Sequence, residues 1–243
     1  MTKYYALLFM CNDETRAKFV IEGFQKHNPD IPLTVYNGGE TMPQLAFDYD
    51  IDLIEGRNLW HKNTRHPPGS FDYGWFQMLF DVAEKNDPDY LIFLETDVKT
   101  NRKIVEEPKY DISGPVTQCG GITDKLMMYD YWDAYIKNQN FHEDKYTNWQ
   151  HKFHSGMGAT AFSRNFFKKC RPQLPLVKRC YELLPMHCYQ DLVISCFGRS
   201  QGCTIGDWSE VSDTRGTIRK KSETEWYGEA PNENCALIHN FKV

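Results

Sequence analysis

Hydrophobic positions along the chain follow two spacings. Residues 4–11 form an unbroken apolar run, the pattern of a strand buried on both faces. Asn12 or Asp13 can cap a helix, and beyond them Ala17, Val20, Ile21 and Phe24 recur every three or four residues, as one helix face does. Pro32 leads into a second strand, Leu33–Asn37, which Gly38 and Gly39 end. Asp52–Glu55 reads as a short third strand, and a polar, proline-containing loop covers 58–70. Trp75, Met78, Leu79 and Val82 mark the face of another helix. Asp87-Pro88 stops it, because proline has no N–H to donate and disfavours helical geometry in the residue before it. Residues 90–98 then bring a strand whose middle, Leu91 to Leu94, is wholly apolar.

Alternating strands and helices of this kind predict an α/β fold: a Rossmann-type mixed, mostly parallel central sheet flanked by helices on both faces. Ligands of such sheets bind beyond the carboxyl ends of the strands. Polar groups stand at those ends: Asn12, Asn37 with Gly38, Glu55-Gly56-Arg57, and Glu95-Thr96-Asp97. The second half is less regular. Strands are expected over 111–116 and 203–205, helices over 164–170 and 190–197, and a last strand over 236–241. Aromatic residues crowd 129–153. Neither a repeat nor a linker divides the chain, so 1–243 is expected to be one domain, with 1–100 binding the donor and 101–243 the acceptor.

Composition narrows the function classes. The 243 residues are 41% hydrophobic and 25% charged, ordinary values for a globular chain that can build a core. A net charge of -5 argues against a sequence-independent grip on nucleic acid. No apolar run reaches the ~18–20 residues of a membrane span, and the first strand lacks the flanks of a signal peptide. The expectation is a soluble, cytoplasmic protein. The eight cysteines include no C-x-x-C pair, which argues against a zinc knuckle and for reduced, buried thiols.

The chemistry concentrates after the central strand. Glu95 and Asp97, two residues apart where the chain leaves the sheet, can converge on one cation. Carboxylate oxygens suit hard ions such as Mn2+ or Mg2+. Such an ion can bridge a diphosphate and stabilise its charge as it leaves. An apolar strand, an acidic-x-Asp triplet and an exit loop about this far into an α/β chain resemble the D-x-D motif of GT-A fold glycosyltransferases, with Glu95 replacing the usual first Asp. Three further pieces follow in the family's order. His154-Ser155-Gly156-Met157-Gly158-Ala159 resembles the glycine loop that lines the donor sugar. Tyr189-Gln190-Asp191 resembles the x-E-D motif, with Gln for Glu. His239 resembles the C-terminal histidine that completes the metal shell.

The resemblance implies a metal-dependent transferase that moves a sugar from a nucleotide-diphosphate sugar to a glycan, glycoprotein or other hydroxyl acceptor. It implies Asp97, Glu95 and His239 as metal ligands, with Glu95 acting directly, through water or on the ribose. Asp191 would be the general base of an inverting displacement. Asn12, Asn37, Arg57, Thr96, Gly156 and Gly158 would contact the donor, Arg57 offering phosphate a forked pair of N–H groups. Two other readings compete. A sugar nucleotidyltransferase calls for a Gly-rich basic loop after the first strand, where this chain has Cys11-Asn12-Asp13-Glu14. A non-catalytic nucleotide-sugar or carbohydrate-binding protein on the same fold would bind without turnover.

Overall fold

The continuous apolar run at the start forms β1, Tyr4–Met10, with every residue from Tyr5 to Met10 buried. The computed structural model describes residues 2–10, 13–37, 52–55, 70–117, 153–154, 158–175, 194–195, 197–198, 201–208, 210–214, 218–220, 226–228 and 232–239. Helix α1, Glu14–His27, follows, and Asp13 caps it by accepting from the Arg16 amide at 3.1 Å. A cap of this kind stabilises by about 1 kcal/mol. Then come β2 (Leu33–Asn37), β3 (Asp52–Glu55), α2 (Ser70–Asn86) and β4 (Tyr90–Glu95). Asp87, at φ 42°, turns the chain out of α2 ahead of Pro88. The later elements that matter here are β5 (Lys99–Thr100), β6 (Ile112–Gly114), β7 (Val116–Thr117), β8 (Phe153–His154), β9 (Thr160–Ser163) and α3 (Arg164–Cys170). They are joined by β10 (Ile205–Asp207), β11 (Ser212–Thr214), β12 (Ile218–Lys220), β13 (Trp226–Gly228) and β14 (Leu237–His239).

Among the described residues the main sheet has seven strands, in the order β10-β6-β9-β4-β1-β2-β3. β1 pairs in parallel with β2 and with β4, β2 with β3, and β10 with β6. β9 runs antiparallel to both of its neighbours, β4 and β6. The sheet is therefore mixed and mostly parallel. Because β2 lies on one side of β1 and β4 on the other, the chain reverses its winding there. That leaves a crevice at the carboxyl ends of β1 and β4.

Helices cover both faces. Alternation in β1 and β4 sends Ala6, Leu8, Met10, Ile92 and Leu94 towards α1, where they pack with Ala17, Val20, Ile21 and Phe24. Each fully buried aliphatic or Phe side chain stabilises by about 1.5–3 kcal/mol relative to exposure. The other face meets α2 and α3 through an aromatic cluster in which Phe80, Phe162, Phe166 and Phe167 stand 5.1–6.3 Å apart between ring centroids. No helix among the described residues is long and apolar enough to cross a membrane.

Several elements differ from the sequence expectation. Thr160–Ser163, to which the sequence assigns no element, is a strand. Its four buried residues are too few to show a period, and Ser163 at once caps α3 by accepting from the Phe166 amide. The strand expected over 111–116 divides at Pro115, which has no amide to donate: β6 joins the main sheet, while β7 pairs with β8 elsewhere. The strand near 203–205 lies at Ile205–Asp207. The β12–β13 hairpin was not foreseen, its strands being three residues long. Cys170, Cys203 and Cys235 are buried, and the first two thiols stand 3.9 Å apart.

Candidate metal centre

β4 ends at Glu95 and the chain turns at once. The Val98 amide donates to the Glu95 carbonyl at 3.1 Å, closing a tight turn through Thr96 and Asp97. The turn folds the acidic triplet back over the strand end. β5 then leaves antiparallel to β14, with Thr100 opposite Leu237 and Lys99 opposite Ile238. One further step along that register sets His239 opposite Val98, next to Asp97. β11 holds the other edge of β14 in parallel, Thr214 lying beside His239.

The result is a compact donor set. Nε2 of His239 lies 2.8 Å from Oε2 of Glu95 and 3.3 Å from Oδ1 of Asp97. One potential ligand atom from each of the three residues lies within 4.8 Å of the others. Side-chain exposure is 24% for Glu95, 28% for Asp97 and 5% for His239. The imidazole therefore forms a closed floor, and the carboxylates open towards solvent.

Charge is concentrated here. Burial would lower the affinity of His239 for a proton, but contact with Asp97 and Glu95 outweighs it and the imidazole is pushed up to about 10. Burial likewise opposes ionisation of Asp97. The close approach and charge of His239, with help from Arg16, outweigh it and hold the carboxyl below its ordinary 3.8. Arg16, in the first turn of α1, was not singled out from sequence. Its position three residues after the capping Asp13 was the available signal.

The donor set fits a hard divalent cation. Two ligands at right angles on an octahedral ion with bonds of about 2.1 Å stand about 3.0 Å apart, and the two His239 contacts bracket that value. Oδ1 of Asp97 is buried with no hydrogen-bond partner among the described residues, since its approach to His239 is not along a directed hydrogen bond. An unsatisfied buried carboxylate oxygen is costly, and a cation would satisfy it.

Gly158 closes the third side. A Cβ built on it would lie 2.8 Å from Nε2 and 2.9 Å from Cγ of His239, closer still to Cδ2. Expected as a donor-sugar contact, Gly158 packs against the histidine ring. Thr96 lies in the middle of the turn, partly exposed. Asn37 is buried at the end of β2, between Met10 of β1 and Glu55 of β3. It is thus at the carboxyl edge of the sheet, two strands from Glu95. Asn12, Arg57, Gly156 and Asp191 lie outside the described residues.

No protein-family model matches the sequence, and no curated protein matches it either. Solved structures do. The mannosyltransferase Ktr4p from S. cerevisiae superposes with a TM-score of 0.54 at 10% identity, over 86% of this chain and 69% of that one. The bifunctional glycosyltransferase WbbM superposes with a TM-score of 0.52 at 9% identity, over 98% of this chain and 45% of that one. This chain thus spans under half the length of WbbM. At such identities the likeness concerns the fold: the chain carries an α/β fold shared with solved glycosyltransferases.

Proposed function

We propose that this chain is a divalent-metal-dependent glycosyltransferase that moves a sugar from a nucleotide-diphosphate sugar to a hydroxyl of a glycan or glycoprotein. The observation that carries this reading is the Glu95, Asp97 and His239 donor set at the carboxyl end of β4, beside the crevice where the sheet reverses its winding. The fold shared with solved glycosyltransferases supports it.

In this reading Glu95, Asp97 and His239 hold Mn2+ or Mg2+, which when bound offsets the negative charge of the diphosphate leaving group. His239 fixes the buried side of the site. The two partly exposed carboxylates leave the solvent side open to phosphate oxygens. Asn37 and Arg16 lie at the same sheet edge, and Asn12, Arg57, Thr96 and Gly156 complete the proposed donor contacts. Asp191 takes the proton of the acceptor hydroxyl as its oxygen bonds to the anomeric carbon and the bond from that carbon to the diphosphate oxygen breaks. The displacement inverts the anomeric centre.

A thermal-shift panel of UDP-, GDP- and dTDP-sugars, each with and without Mn2+, tests the reading. A ligand at a hundred times its dissociation constant stabilises by about 2.7 kcal/mol. One donor is expected to raise the midpoint, and only with Mn2+ present. No shift with any pair counts against the proposal. A metal-dependent shift without sugar transfer to any acceptor would mark a non-catalytic binder. NMR of the product's anomeric proton decides stereochemistry, and retention would remove Asp191 from its proposed role.

A further inference from the structure

A metal-binding histidine is usually oriented by its second ring nitrogen, which donates to a carboxylate or carbonyl. Among the described residues His239 lacks that device, because its buried Nδ1 has no hydrogen-bond partner there. The ring nevertheless presents Nε2 to both Glu95 and Asp97. The surface it rests on is Gly158, at a distance that leaves no room for a Cβ.

The neighbouring residue explains how Gly158 reaches the ring. Ala159 is fully buried and adopts φ 65°, a left-handed conformation that L residues with a Cβ rarely take. Its amide donates to the Phe93 carbonyl at 2.9 Å. Along the β4–β9 ladder Phe93 faces Thr160 and Ile92 faces Ala161, and the pairing stops there, so the Ala159 bond to Phe93 holds the corner at the end of the ladder. The support under the histidine is thus tied to β4, the strand that ends at Glu95.

We propose that the Gly158-Ala159 corner is the positioning element of His239, replacing the missing hydrogen bond at Nδ1 with a steric wall that aims Nε2 at the carboxylates. The proposal rests on the metal reading above for its consequence, although the wall itself does not. Calorimetric titration with MnCl2 of the wild type, Gly158→Ala, His239→Ala and the double variant tests it. Gly158→Ala is expected to weaken Mn2+ binding by roughly tenfold or more, the scale on which orienting partners act. In the His239→Ala background the same change is expected to cost less than about twofold, because the ring that the methyl displaces is gone. Equal losses in both backgrounds overturn the proposal. Should Gly158→Ala fail to fold, the double variant is expected to melt higher than the single one, and a lower or equal midpoint overturns it. Should the wild type bind no Mn2+, the metal reading fails by itself. The wall is then read from the ring nitrogen resonances of His239 in metal-free protein, which Gly158→Ala must shift; unmoved resonances overturn it.

Discussion

Oε2 of Glu95 lies 2.8 Å from Nε2 of His239, closer than the 3.3 Å of the nearest Asp97 oxygen. From the sequence, Glu95 was the weaker of the two acidic candidates, because the family pattern places Asp there. The geometry puts it in direct contact with the histidine. Glu95→Gln and Asp97→Asn should therefore both reduce Mn2+ affinity by at least about a hundredfold, beyond the 10–100-fold typical of outer-shell changes. Isothermal titration with MnCl2 measures this. An unaltered affinity in Glu95→Gln would return Glu95 to a role on the ribose or through water.

Nε2 of His239 has one lone pair, which holds either a proton or a cation. Held between two carboxylates, the imidazole keeps its proton up to about 10 in the metal-free protein. Binding of Mn2+ at neutral pH should therefore expel about one proton, and affinity should fall as pH drops. Calorimetry in buffers of different ionisation enthalpy counts the proton. A value near zero would mean that His239 stays protonated and is not a ligand.

Asp111 ties three elements together. Its carboxylate accepts from the Thr204 amide at 3.0 Å, from Ser163 Oγ at 2.8 Å and from Asn165 Nδ2 at 2.8 Å. Burial opposes its ionisation, but these bonds and the Lys169 charge outweigh burial and hold the carboxyl below 3.8. A depressed folded value means that its contribution is present above the unfolded value and is lost as pH falls through the folded one. Asp111→Asn should cost about 3 kcal/mol at neutral pH and flatten the loss of stability below about pH 4. Urea unfolding across that range checks it, and a parallel acid limb in the variant would contradict it.

Phe24 is fully buried beneath the sheet face that carries Leu8 and Ile92. Phe24→Ala should destabilise by about 3–5 kcal/mol through lost transfer energy and the cavity left behind. Chemical denaturation measures this, and a loss under about 1 kcal/mol would mean that the α1 layer repacks freely.

The α/β class, the first four strands and the two helices between them were legible in the sequence because each was long enough to show its period. Ala17, Val20, Ile21 and Phe24 repeat as a helix face does, and Leu91 to Leu94 are apolar without interruption. Their polar ends named Glu95, Asp97 and Asn37 as edge residues. Thr160–Ser163 and Lys99–Thr100 were not legible, because four and two residues carry no period and their strand identity comes from the neighbours they pair with. His239 could be named as a candidate from its strand, among eight histidines. Its meeting with Glu95 and Asp97 was decided by the β5–β14 register, a hydrogen-bonded pairing between segments far apart in the chain. Gly158 was read as a loop contact for a sugar. Only the packing of its bare backbone against the His239 ring assigns it there, since local sequence sets which conformations a residue can adopt and tertiary structure sets what it touches.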